Sequence, residues 1–319
     1  MPTYPGISSA AFRHPLDYQA EQTLRSVPGF DLVARKFIEF VYERPRLVYL
    51  TGNSIQVGVR QYSSIYQIFR ECLQSLDIAS EPALFVSQAP LVNAYALGQE
   101  RPCVVLNTAL LDLLSEAELR SVIAHELGHL KCGHTTLTQM AMWVNMAIAG
   151  LADFTFGLSN LISTGLLLSF YEWLRKAELS ADRAALLVMD DLNPVLYSMM
   201  RLAGGSQKYA HELSIEEFAK QSDRYHTLDQ DNLNQVYKFF LYNDVSSGIF
   251  LTHPFTVERV RYLQEWSTSP EFQQIRQGTY SRAGSEGAVN VDAQPEDAVH
   301  LRQQIEELQQ EIDRLKRPQ

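Results

Sequence analysis

The chain has 319 residues, 46% hydrophobic and 20% charged, with a formal net charge of −10. That length and balance describe a globular chain able to bury a full core in one large or two modest domains, and the acidic excess excludes nucleic acid as the expected partner. Cys72, Cys103 and Cys132 are odd in number and unpatterned, and residues 1–20 contain Arg13, His14 and Asp17 with no apolar core; the expectation is a reducing, cytoplasmic location without a secretory signal.

In chain order, residues 30–42 and 63–76 carry the apolar spacing of amphipathic helices. Residues 83–86, 94–97 and 103–106 are short β-type runs. The last two flank Gly98-Gln-Glu-Arg-Pro102, which predicts an antiparallel hairpin. Ser115 with Glu118 three residues on reads as a capping box, and residues 119–130 continue with a helical apolar period.

Inside that helix stands His125-Glu-Leu-Gly-His129. Two histidines four apart lie about 40° and one turn apart, so both rings can reach one metal ion. Glu126 then projects beside the ion, where it can take a proton from a bound water. The alternative is a surface helix with two solvated histidines. Val122, Ile123, Leu127 and Leu130 argue against it, because a helix this apolar is buried and buried histidines need partners.

A zinc site needs a third protein ligand. The metzincin pattern would require Gly at position 132 and His at position 135, but Cys132 and Thr135 stand there and His134 is one residue out of register. The other solution takes a glutamate from a second helix. Glu178 fits, in the run Arg175-Lys-Ala-Glu-Leu-Ser-Ala-Asp182, which Leu174, Leu179, Ala181 and residues 184–187 mark as mostly buried. Glu178 and Asp182 share a face. One can ligate while the other accepts the free N–H of a ligand histidine, with Arg175 as their supporting cation. A surface ion-pair ladder of Arg175, Glu178 and Asp182 is the competing explanation.

The H-E-L-G-H run followed by Glu178-Leu-Ser-Ala-Asp182 resembles metallopeptidase family 48, with its HtpX-like, Oma-like and CAAX-protease members. Asn93-Ala-Tyr-Ala-Leu-Gly98 is similar to the family's N-A-F/Y-A-x-G strand. Thr252-His253-Pro254, followed by Arg259, Val260 and Leu263, is similar to its H-P-x-x-x-x-R-I-x-x-L element. The similarity runs from about residue 80 to 268, and the opening Ile7-Ser-Ser-Ala-Ala-Phe-Arg-His-Pro-Leu-Asp17 resembles a cyanobacterial and plastid subgroup. The resemblance implies an α+β, mainly helical, zincin-like (gluzincin) fold with a small antiparallel sheet. It implies one zinc held by His125, His129 and Glu178, with Glu126 as general base. It further implies that His253 stabilises the oxyanion and that Asn93, with Ala94 and Tyr95, lines the edge where a peptide binds. On the residues alone, Asn93 reads better as a turn or strand-end residue bonding to its own backbone, and His253 equally suits the start of a helix.

From Thr135 to Tyr171 the only charged residue is Asp153. Residues 140–158 could span a bilayer, but Asn145, Asp153 and Thr155 interrupt them, and residues 161–171 are too short to return. The preferred reading is an apolar helical hairpin over 140–171 that covers the cleft or touches a membrane surface; the resemblance does not decide between this and a true span. Residues 283–298 read as a flexible linker. Leu301, Ile305, Leu308, Ile312 and Leu315 then form a short heptad seam over 299–316 that pairs two copies of the chain or docks onto its own.

The expected organisation is an N-terminal helical region (1–80) packed on a catalytic domain (81–282), then the linker and a coiled-coil-like helix (299–319). The expected function is a zinc-dependent endopeptidase acting on peptide or protein substrates. Two alternatives stand beside it: a non-cleaving, chaperone-like protein that retains zinc, and a membrane-embedded protease. Neither a P-loop nor a G-x-S-x-G elbow is present.

Overall fold

A computed structural model describes residues 1–40, 43–98, 101–148, 164–230, 243–244, 249–250 and 256–283. In chain order the described helices are α1 (Pro15–Ser26), α2 (Phe30–Phe40), α3 (Glu43–Asn53), α4 (Ser63–Ser75), α5 (Thr108–Leu113), α6 (Glu116–Lys131), α7 (His134–Ile148), α8 (Thr164–Met189), α9 (Leu192–Gly204), α10 (Ile215–Gln230), α11 (Thr256–Ser267) and α12 (Pro270–Arg276). The strands that matter here are β1 (Ile55–Gln56), β2 (Ala83–Ser87), β3 (Ala94–Leu97) and β4 (Cys103–Asn107). The fold is mainly helical with one small four-stranded sheet, as expected.

Two crossing helices, α6 and α8, carry the site. α6 opens with the predicted capping box: the Ser115 hydroxyl accepts from the Glu118 N–H, and the Glu118 carboxylate accepts from the Ser115 N–H at 2.6 Å. This satisfies donors that the first turn leaves without helical partners. α6 ends at Gly133, which adopts φ 73° and donates its N–H to Leu130 O at 3.1 Å. Midway along, Gly128 lets the two backbones meet. A methyl group at Gly128 would sit 2.7 Å from Ala184 Cβ and 3.0 Å from Ala181 Cα, so only glycine allows this crossing.

The inner face of α6, with Val122, Ile123 and Leu127, is buried in the main core with residues of α4, α8, α9 and α11. Tyr4, Ile7 and Phe12 from the N-terminal segment belong to the same cluster. A second core lies at the other end of α8. There Leu166, Phe170 and Trp173 meet Leu137, Met140 and Val144 of α7, and Leu24, Phe30, Val33 and Phe37 of α1 and α2 cover them.

This second core takes in the described part of the charge-poor stretch. Residues 164–171 are the first two turns of the helix that bears Glu178, and they pack against α7. The described apolar residues on either side of the 149–163 gap pack against α1 and α2, which is where their hydrophobic surface is used. Among the described residues no helix is long and apolar enough to cross a membrane.

The strand order is β1-β2-β4-β3. β3 and β4 form the expected antiparallel pair, with Ala94 opposite Leu106 and Leu97 opposite Cys103. β2 pairs with β4 in parallel, Ala83 with Cys103 through Ser87 with Asn107, so the sheet is mixed rather than antiparallel throughout. The cause lies in β4, whose five residues are all buried. A strand covered on both faces takes an interior position, and β3 is left at the edge. His253, the linker beyond residue 283 and the heptad seam lie outside the described residues.

Candidate metal centre and active site

α6 presents His125 and His129 on one face, with their Nε2 atoms 3.2 Å apart. α8 brings Glu178 against both: Oε2 is 3.2 Å from His125 Nε2, and Oε1 is 3.2 Å from His129 Nε2. The three donor groups lie within 4.8 Å of one another, and all are buried or nearly so. Donors bound about 2.0–2.1 Å from a tetrahedral zinc are about 3.3 Å from each other. The observed separations therefore fit one ion with two nitrogen donors and a carboxylate.

Each histidine is oriented through its other ring nitrogen. His125 Nδ1 lies 3.0 Å from Asp182 Oδ1. His129 Nδ1 lies 3.0 Å from His134 Nδ1, and His134 Nε2 lies 3.0 Å from Asp17 Oδ2. Asp182 in turn is gripped by Arg259 of α11, with Nε at 2.8 Å and Nη2 at 2.5 Å, while Arg259 Nη1 is 3.3 Å from Glu178 Oε2.

The electrostatics follow from these contacts. Burial alone would raise the Asp182 carboxyl, but Arg259 and His125 outweigh it and hold its pKa below the usual carboxylate range. Burial alone would lower the His125 pKa. The hydrogen bonds its ring N–H groups donate to Asp182 and Glu178 reverse that and push it up to about 10. His129 goes the other way, with burial dominant and its pKa lowered. Arg259 is held charged despite burial by Asp182 and Glu178, and the Glu126 charge adds to the same effect.

A cleft of about 420 Å³ opens beside His125 and Glu126. Asn93 and Ala94 border it, as do Arg259 and the apolar residues Val122, Met199 and Val257. Tyr95 is not among its walls. Successive strand residues point to opposite faces, and Tyr95 turns away to pack near Leu50 and Phe85. Its hydroxyl accepts from Arg46 Nη2 at 3.0 Å. Arg175 pairs with Glu172 one turn back, and Arg259 of α11 reaches both Glu178 and Asp182.

The sequence reading assigned no site role to Arg259, His134, Asp17 or Ser180. Arg259 was visible only as part of a family pattern. His134 was visible only as a histidine out of register. A buried polar cluster at a helix start, Arg13-His-Pro-Leu-Asp17, was the available signal for Asp17.

A family model for peptidase family M48 matches residues 60–267. The chain is 35% identical over 268 residues to plastoglobule-localized metallopeptidase 48, chloroplastic, of Arabidopsis thaliana, covering 83% of this chain and 74% of that protein. It is 26% identical over 223 residues to a protease HtpX homolog of Helicobacter pylori, covering 63% and 66% of the two chains. It is also 25% identical over 250 residues to a protease HtpX homolog of Dictyoglomus turgidum, covering 70% and 77%. No solved structure gives a match. With most of the metal-site helices inside the matched span, the chain belongs to peptidase family M48 and is a metal-dependent protease.

Proposed function

We propose that the protein is a zinc endopeptidase in which His125, His129 and Glu178 hold one zinc ion and Glu126 is the general base. The observation that carries this reading is the two histidine Nε2 atoms 3.2 Å apart, each 3.2 Å from one oxygen of the Glu178 carboxylate, beside a cleft that Glu126 borders. Two imidazoles and a carboxylate are a donor set suited to zinc. Zinc, when bound, supplies a Lewis acid that makes water nucleophilic near neutral pH and polarises the scissile carbonyl.

The protein's own groups do the rest. Glu126 takes the proton of the attacking water on its carboxylate and returns it to the leaving amine nitrogen. β3, which ends the sheet, holds an extended peptide with Asn93 and Ala94 through main-chain pairing. The apolar wall formed by Val122, Met199 and Val257 receives a side chain next to the scissile bond. Arg259 keeps Asp182 ionised, and Asp182 holds His125 with Nε2 directed at Glu178 and His129. His253 as oxyanion partner belongs to the same proposal.

The test is Glu126→Gln. Peptide hydrolysis should fall by about 10²–10⁴-fold while the purified protein keeps one equivalent of zinc. Zinc retained by a wild-type chain that cleaves no peptide in a broad library would overturn the endopeptidase assignment in favour of a binding protein.

A further inference from the structure

We propose that residues 13–17, which precede the span matched by the family model, are part of the metal centre: through His134 they fix His129 in the tautomer whose Nε2 is free to bind metal. The inference rests on the metal-site reading above and extends it to a segment and a residue outside the ligand set.

The hydrogen bonds are traced from the carboxylate inwards. Asp17 is completely buried. It receives Arg13 Nε at 2.8 Å and Nη2 at 3.0 Å, and the Ser180 hydroxyl at 2.6 Å. A carboxylate held by a guanidinium stays ionised and can only accept. His134 Nε2, 3.0 Å away, must therefore carry a proton. With His134 taken as the neutral imidazole, its other nitrogen is then an acceptor, so that His129 Nδ1–H donates to His134 Nδ1 at 3.0 Å. With its one proton on Nδ1, His129 turns the Nε2 lone pair towards His125 and Glu178.

The arrangement is built into the fold at both ends. His134 is 1% exposed, opens α7 directly after the αL residue Gly133, and packs edge-on to Trp173 of α8. Ser180 sits two residues beyond Glu178 on α8 and also accepts the His14 N–H at 2.9 Å. The segment is thus clamped to the helix that supplies the third ligand. Asp182 performs the equivalent service for His125 directly. For His129 the carboxylate lies one imidazole further away, and His134 relays its polarity.

The role is one of positioning, so the decisive readouts are tautomer and metal affinity in the full-length protein. In ¹⁵N-histidine spectra of the metal-free wild type, His129 should be the Nδ1–H tautomer; an Nε2–H assignment overturns the proposal without any mutation. His134→Phe removes the acceptor and should weaken zinc binding about 10–100-fold in a chelator competition, with His129 losing its single tautomer. His134→Gln keeps an oxygen to accept from His129 and an amide N–H₂ to donate to Asp17, and should restore affinity to within a few-fold of wild type. Asp17→Asn, read in the same way, serves if His134→Phe fails to fold. Equal zinc affinity in wild type, H134F and D17N would refute the relay. If wild type takes up no zinc, the metal reading fails while the tautomer spectrum still decides the relay.

Discussion

Replacing Arg259 with methionine removes a buried cation and leaves Asp182 and Glu178 without its charge. Arg259 makes three contacts of 2.5–3.3 Å to these two acids, and its side chain is 11% exposed, so solvent screens little of the change. Breaking a buried ion pair by deleting one partner costs about 3–5 kcal/mol. Asp182 keeps the His125 Nδ1–H as a donor, which points to the lower end of that range. At about 2–4 °C per kcal/mol for domains of this order of size, the metal-free variant should melt roughly 6–12 °C below wild type. Zinc held as proposed would place positive charge beside Glu178, so the deficit should shrink when metal is bound. R259K restores charge without the planar fork and should fall between the two. Equilibrium urea unfolding with and without zinc measures all of this. A metal-free R259M within about 1 kcal/mol of wild type would refute the argument that Arg259 compensates these carboxylates.

Glu178→Ala should abolish stoichiometric zinc binding while leaving the helical circular dichroism of α8 intact; full zinc content by elemental analysis would count against Glu178 as a ligand. Asp17 gives a pH prediction. Burial alone would raise its pKa, but His134 and Arg13 together lower it, so its stabilisation is present above the unfolded value of about 3.9 and disappears as pH falls towards the depressed folded value. The stability gap between wild type and D17N in urea titrations should therefore be widest near neutrality and narrow below about pH 4; a gap that widens in acid would contradict the ionised assignment. For the tail, a chain ending at Gly284 should fold and bind zinc. If the seam over 299–316 pairs two chains, that truncation should halve the mass measured by light scattering, as should Asp at both Ile305 and Ile312.

Local signals carried most of what was legible. The capping box at Ser115, the H-E-L-G-H run and the strand over 94–97 each depend on a few neighbouring residues, and each stands in the structure where the spacing puts it. Glu178 was legible because a buried acid on an apolar helix demands a partner. Arg259 and Asp17 were not, because their partners lie 77 and 117 residues away in sequence and no spacing encodes such a meeting. Arg175 was legible as a cation near both acids because it is close to them in sequence, whereas its pair with Glu172 one turn back is a choice of rotamer that no spacing encodes. Tyr95 could have been separated from Ala94 by strand alternation alone. The charge-poor stretch was ambiguous for a physical reason: helices packed under α1 and α2, as its described ends are, and helices packed in lipid need the same composition.

Gly128 has a consequence for how the metal is acquired. Because α6 and α8 touch backbone to backbone at Gly128, Ala181 and Ala184, the spacing of the donor helices is determined by hard contact rather than by adjustable side chains. The conformational entropy of gathering the donors is then lost during folding, before any ion arrives, and little remains to be lost on binding. Metal uptake by such a preorganised site should proceed with a small heat-capacity change and little change in amide exchange along α6 and α8. One added methyl group at position 128 would alter this by wedging the helices apart, lowering affinity through geometry while every ligand stayed in place.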